Sequence, residues 1–240
     1  MRCGVWPRSL RRVYGVRKGV LGVALVLAAT LTTGLLSGCA SGSAGAGSPV
    51  ANVSGGQTDN LNGIVLPKAY RPPSVSLTDT EGASFDPATD LTRPITLVFF
   101  GYTNCPDICG IVMSDMASAR LRLTNAQQQQ VGVLLITTDP KRDTPQVMRA
   151  YLDRFSSDSE GLTGPIATIN QVAQAMGVPI EKAQPLPGGG YTIVHGGQIL
   201  GMLPDGTAPY VWPEATSSAQ LAEDLVKILN GQVTSVVEPS

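Results

Sequence analysis

The chain has 240 residues, 42% of them hydrophobic and 15% charged, enough for one ordinary domain with a sizeable core plus extra segments. Its formal net charge is -1 and its lysines and arginines beyond residue 18 are scattered, which excludes the electrostatic footprint of a nucleic-acid binder. The cysteines are Cys3, Cys39, Cys105 and Cys109, and His195 is the single histidine, so any chemistry that needs imidazole must use that residue.

In chain order, residues 1–18 carry Arg2, Arg8, Arg11, Arg12, Arg17 and Lys18 and no acid, and Gly19 to Leu36 is uncharged and mostly apolar. These are the basic and apolar regions of an export signal. The stretch ends in Leu36-Ser37-Gly38-Cys39, which resembles a bacterial lipobox with Cys39 as the lipid acceptor. We expect residues 1–38 to be a lipoprotein signal peptide. An uncleaved membrane anchor is the second reading of the same stretch, and a secretory signal cleaved elsewhere is the third. Residues 40–60, rich in Gly, Ser and Ala, extend the lipidated Cys39 into a flexible tether reaching to about residue 62. Residues 63–240 are expected to form one folded domain.

Within that domain the pattern alternates strand and helix. Ser74–Leu77 and Ser84–Phe85 predict a short hairpin around Glu81-Gly82. Ile95–Phe100 and Val131–Thr137 are continuous apolar runs of strand formers, as in buried strands. A helix is predicted over about 107–123. A second opens at the Thr144-Pro145 cap, with Val147, Met148, Tyr151, Leu152 and Phe155 as its apolar face. A short helix near Gln171–Met176 follows, and Gln127–Gln130 reads as a solvated helix end. Tyr191–Val194 and Gln198–Met202 read as strands, with a turn at Pro204-Asp205-Gly206. A closing helix over about Ser218–Asn230 turns Leu221, Leu225, Ile228 and Leu229 inward and stops at Gly231. This order predicts an α/β sandwich.

The chemistry centres on Phe99-Phe100-Gly101-Tyr102-Thr103-Asn104-Cys105-Pro106-Asp107-Ile108-Cys109, a strand running through a turn into a helix. With Cys105 at the helix start and Cys109 one turn on, both sulfurs would share a helix face. A helix N-terminus favours thiolate, which suits both nucleophilic attack and metal ligation. Two intervening residues mark thioredoxin-type redox pairs; the three found here also leave room for an ion. Two thiolates with an imidazole select copper or zinc. His195, in Val194-His195-Gly196-Gly197, is the candidate third ligand, because glycines permit close approach. A stabilising disulfide between Cys105 and Cys109 and an ordinary packed histidine are the bland alternatives, although so short a loop gains little from closure.

Taken together, these residues resemble the SCO/SenC family of copper chaperones for cytochrome c oxidase assembly. Phe99–Cys109 is similar to its FFGYTHCPDVC pattern and Ile136–Pro145 to its SVDPERDTP pattern, with Gly161–Gly164 and the strand before His195 in the expected order. The resemblance covers roughly residues 70–230 and implies a thioredoxin-like fold, a central mixed sheet flanked by helices. It also implies one copper ion per chain held by Cys105, Cys109 and His195, and delivery to the CuA centre of the oxidase copper subunit or to another exported copper protein. The protein would then sit on the outer face of the cytoplasmic membrane, attached through its lipid anchor. The alternative function is a thiol–disulfide oxidoreductase in which Cys105 and Cys109 are the redox-active pair. A sensor of copper or redox state that signals to a membrane partner is a third reading. Asn104, Val194 and Gly110 depart from the family's His, Asp and Pro, and Val194 removes a group that could orient the imidazole. Asp107 is expected to cap the first helix. Asp139 and Asp143 are expected to form a turn and a cap, or to touch a partner. Met113 and Met116 are read as core fillers, and Tyr102 as either a site wall or a packing residue.

Overall fold

A computed structural model of the chain describes residues 60–233. The signal segment, Cys3, Cys39 and most of the tether read from the sequence lie outside these residues. The domain opens with β1 (Ile64–Tyr70), β2 (Leu77–Asp79), β3 (Ser84–Phe85) and β4 (Ile95–Gly101). Next come α1 (Cys109–Leu121), α2 (Asn125–Gln128), β5 (Val131–Thr137), α3 (Pro145–Leu152), β6 (Glu160–Thr163) and α4 (Ile166–Ala175). The chain continues through β7 (Gln184–Pro185), β8 (Tyr191–Thr192), β9 (Ile199–Met202), β10 (Ala208–Trp212) and α5 (Ser218–Leu229). Among the described residues, no helix is long and apolar enough to cross a membrane.

The main sheet runs β1-β10-β9-β4-β5-β6-β2-β3. β4, β5 and β6 are parallel and the other pairings antiparallel, so the sheet is mixed. Every residue of β4 and β5 is buried, which is why their sequences run apolar without alternation. The two-residue period still sorts them. Ile95, Leu97, Phe99, Val131, Val133 and Leu135 pack with α1, α3 and α5 residues such as Met116, Leu152 and Leu225. Val98, Phe100, Leu134 and Ile136 pack with Ile169 and Val172 of α4. Each such burial stabilises the fold by about 2 kcal/mol relative to exposure. This is the thioredoxin-like α/β architecture expected from the sequence.

Local chemistry explains several boundaries. Thr144 accepts from the Val147 N–H and Pro145 takes the first turn of α3. Ser217 and Gln220 close a capping box on α5. Thr124 and Gln127 do the same for α2, so part of the glutamine run forms a short capped helix. The structure also departs from the sequence reading. α1 begins at Cys109, two residues later than expected, with no side-chain cap at its start. Val147 is 40% exposed while Met148, Tyr151 and Leu152 are buried, so it lies off the packed face of α3. α4 starts at Ile166, earlier than expected, and β1, β6 and β10 were not anticipated. Pro67 and Pro209 break the strand signal in β1 and β10.

The topology brings two distant segments together. β9 runs antiparallel to β4, with Val98 opposite Leu200. The residues just before β9 therefore stand beside the carboxyl end of β4, where the cysteine segment begins.

Candidate metal centre

Beyond β4 the chain turns before entering α1. The Cys105 N–H donates to the Tyr102 carbonyl at 3.2 Å, and the helix starts only at Cys109. The two cysteines therefore do not share a helix face, contrary to the sequence reading; the turn itself carries Cys105 toward Cys109. The close approach of Cys109 depends on Gly101, where a Cβ would lie 3.1 Å from Cys109 Sγ and 2.6 Å from the Phe99 ring. Cys105 is partly exposed, Cys109 is buried, and the two sulfurs are not bonded to each other.

His195 is 6% exposed and is bridged to Ile180 across a short antiparallel contact. Its Nε2 lies 3.5 Å from Cys109 Sγ. Its Nδ1 lies 3.0 Å from the Gly196 carbonyl oxygen, which can only accept, so Nδ1 donates there and Nε2 is the nitrogen turned to the sulfurs. Gly196 thus supplies the orienting acceptor that Val194 cannot. Phe99 and Tyr102 meet the imidazole edge-on, with centroids at 5.8 and 5.9 Å. The donor atoms of Cys105, Cys109 and His195 all lie within 4.8 Å of one another. Two sulfurs and an imidazole at that spacing fit a soft ion of low coordination number.

The two thiols are electrostatically unlike. Hydrogen bonding from Cys109 holds the Cys105 thiol down to about 4 against the cost of burial, helped by His195 and the backbone N–H groups of Cys109 and Asp107. Cys109 is pushed up by that same hydrogen bond, by burial and by the neighbouring negative charge. The pair therefore presents one accessible thiolate and one buried thiol.

The remaining named residues fall into place around this centre. Asp143 is fully buried. It accepts from the Thr103 N–H at 3.0 Å, from Thr103 Oγ1 at 2.6 Å and from Thr137 Oγ1 at 2.6 Å. Burial holds its carboxyl above the usual range, and these hydrogen bonds oppose that rise. Asp139 is also buried and accepts from Tyr191 Oη at 2.8 Å and from Arg142. Burial keeps both carboxylates from a partner's surface, and Thr144, rather than either aspartate, caps α3. Asp107 is exposed, and α1 has no side-chain cap. Asn104 is exposed, and Met113 and Met116 are wholly buried in the core. The sequence reading did not single out Thr103, Thr137 or Tyr191. The Ile136–Pro145 motif marked Thr137, whereas nothing in the residue types marked Tyr191.

A family model described as SCO1/SenC matches residues 69–230. The chain is 34% identical over 149 residues to a Stutzerimonas stutzeri protein whose name calls it copper-binding, covering 62% of this chain and 72% of that protein. It is 38% identical over 88 residues to a SCO2-like protein of Rickettsia felis, covering 37% of this chain and only 42% of that one. Among solved structures it is similar to Bradyrhizobium japonicum ScoI with copper bound, at 30% identity and a TM-score of 0.56, covering 67% of this chain and 97% of that one.

Proposed function

The chain belongs to the SCO1/SenC family, and from that premise we propose that it holds one copper ion through Cys105, Cys109 and His195 and hands it to an exported copper protein. The oxidase copper subunit with its CuA centre is the foremost candidate recipient. The observation that carries this reading is the convergence of the two sulfurs and the imidazole within 4.8 Å. Residues 1–39 support placement on the outer face of the cytoplasmic membrane through a lipid on Cys39.

The copper is cargo, and the site's asymmetry suits transfer. Cys105 is partly exposed and already a thiolate, so it meets the incoming ion and is the first ligand an incoming partner thiolate can displace. Cys109 gives up its proton when the ion binds, and the Nε2 lone pair of His195 completes the set. These two buried ligands keep hold of the ion until a partner's second ligand arrives. Three ligands leave the ion open to such stepwise exchange.

The test is copper content. The full-length chain in detergent, reduced and loaded with copper, should retain one copper per chain. Cys105→Ser, Cys109→Ser and His195→Ala should each lose it or weaken it by orders of magnitude. Retention unchanged in all three variants sinks this reading, because the copper would then be held elsewhere in the chain.

The acidic Cys105 thiol also favours a second reading, a thiol–disulfide reductase. Cys105 Sγ attacks a client disulfide, forming a mixed disulfide and releasing one client thiolate. Cys109 then loses its proton to solvent and attacks Cys105 Sγ, freeing the second client thiolate. The client gains two electrons, the chain ends as the Cys105–Cys109 disulfide, and a thiol reductant restores it. Indifference of this activity to His195→Ala, with no retained copper, would favour it over the chaperone.

A further inference from the structure

The two ligand-bearing segments come from different parts of the chain, yet one residue, through its backbone carbonyl and its side chain, is bonded into both. The carbonyl of Tyr102 accepts the Cys105 N–H at 3.2 Å. Its hydroxyl lies 3.0 Å from Thr192 Oγ1 and accepts the Ile193 N–H at 3.3 Å. Its ring faces the His195 imidazole edge-on. Thr192 and Ile193 lie three and two residues before His195, so this hydroxyl fixes the approach of the histidine segment to the cysteine turn.

A second set of contacts fixes the same segment from outside. Tyr191 donates its hydroxyl to Asp139, while the Arg142 guanidinium stacks over the Tyr191 ring at 3.8 Å and lies 5.5 Å from the Tyr102 ring. Arg142 also pairs with Asp139 and donates to the Tyr191 carbonyl at 3.4 Å. One residue further on, Asp143 grips Thr103 in the cysteine turn. The loop 139–143 therefore holds the cysteine turn with one carboxylate and the histidine segment with the other.

We propose that Tyr102 and Tyr191 are positioning residues of the metal centre, joined through Arg142 and the 139–143 loop into a brace that sets how firmly His195 engages the ion held by Cys105 and Cys109. This rests on the copper reading for its consequence, but the brace itself is a property of the metal-free chain. Loosening it leaves the two sulfurs in place and weakens the third ligand, so copper should still bind but leave faster.

The experiment uses Tyr102→Phe and Tyr191→Phe in the full-length chain in detergent. Each removes a single hydroxyl, and Tyr191, partly exposed, carries the test if Tyr102→Phe fails to fold. Because His195 is the single histidine, its ring NMR signals need no assignment strategy. In the metal-free variants those signals should shift and broaden. In the loaded variants copper should remain at one per chain while release to a chelator speeds up about tenfold, the low end for groups that support a metal ligand. A lowered melting temperature with unchanged ring signals and release rate would mean a packing role only and would overturn the proposal. A parent chain that retains no copper would sink the copper reading alone, and the ring signals would still judge the brace.

Discussion

The cysteine turn and the histidine segment meet at one point but are built differently. The turn is seated between β4, paired residue for residue with β5 over Ile95–Gly101, and the thirteen-residue α1. Its backbone is tied down further by Asp143 and by the Thr138 N–H donating to the Gly101 carbonyl at 2.8 Å. The histidine segment lies between the two-residue β8 and the four-residue β9. It is held by the Ile180 bridge, by the Glu181 N–H to the Val194 carbonyl and the Gly196 N–H to the Pro179 carbonyl, and by Tyr102. Two of the proposed ligands thus belong to the core and one to an arm laid across it. Such a division lets the hold of His195 be tuned while the sulfurs stay in place.

The sharpest way to break this contrast is to attack the turn from within. Asp143→Ala would leave the Thr103 N–H and two hydroxyls without their acceptor, and should destabilise the fold by about 3 kcal/mol in denaturant titration. Asp143→Asn keeps one acceptor oxygen and should cost about 1 kcal/mol. Equal losses in the two variants would show that the turn needs an acceptor at both carboxylate oxygens. Next in size is Gly101→Ala. Its methyl would press on Phe99 and Cys109 Sγ, both fixed in the core, and should cost about 2 kcal/mol. The corresponding insult to the arm is Gly197→Ala, whose methyl would run into the Glu214 carboxylate and Ile108. Glu214 ends a flexible side chain and can give way, so about 0.5 kcal/mol is expected. A loss at Gly197 as large as that at Gly101 would erase the distinction between the two regions.

The same contrast separates what the sequence made legible from what it hid. β4 and β5 announced themselves as unbroken apolar runs, and the Thr144-Pro145 cap marked α3 to the residue. Cys105, Cys109 and His195 stood out by chemical type and by the scarcity of thiols and imidazole. The turn's shape did not, because i,i+4 spacing suggests a shared helix face and only the backbone shows α1 starting at Cys109. Asp139 and Asp143 read as a turn and a helix cap or as partner contacts, since their burial depends on Tyr191 and Thr103, far away in the chain. The acceptor that orients His195 is a backbone carbonyl, which no pattern of side chains reveals. Val194 therefore read as a missing support where the chain supplies another.

The smallest expected effect concerns the turn's own chemistry. An ordinary cysteine, with its pKa near 8.5, loses reactivity toward iodoacetamide about tenfold per unit of pH below that value. Cys105 is held near 4 by hydrogen bonds from Cys109, His195 and two backbone N–H groups. Its thiolate is therefore fully formed above that value and is lost only as the pH falls through it. In the reduced, metal-free chain, alkylation of Cys105 should change less than about twofold between pH 8 and 6, with Cys109 unlabelled because it is buried and kept protonated. His195→Ala removes one of the donors but leaves Cys109 and the two backbone N–H groups, so the profile should shift upward only slightly. A large upward shift in that variant would mean that the arm, rather than the turn, makes Cys105 a thiolate, and that the turn is ready for copper only when the arm is closed.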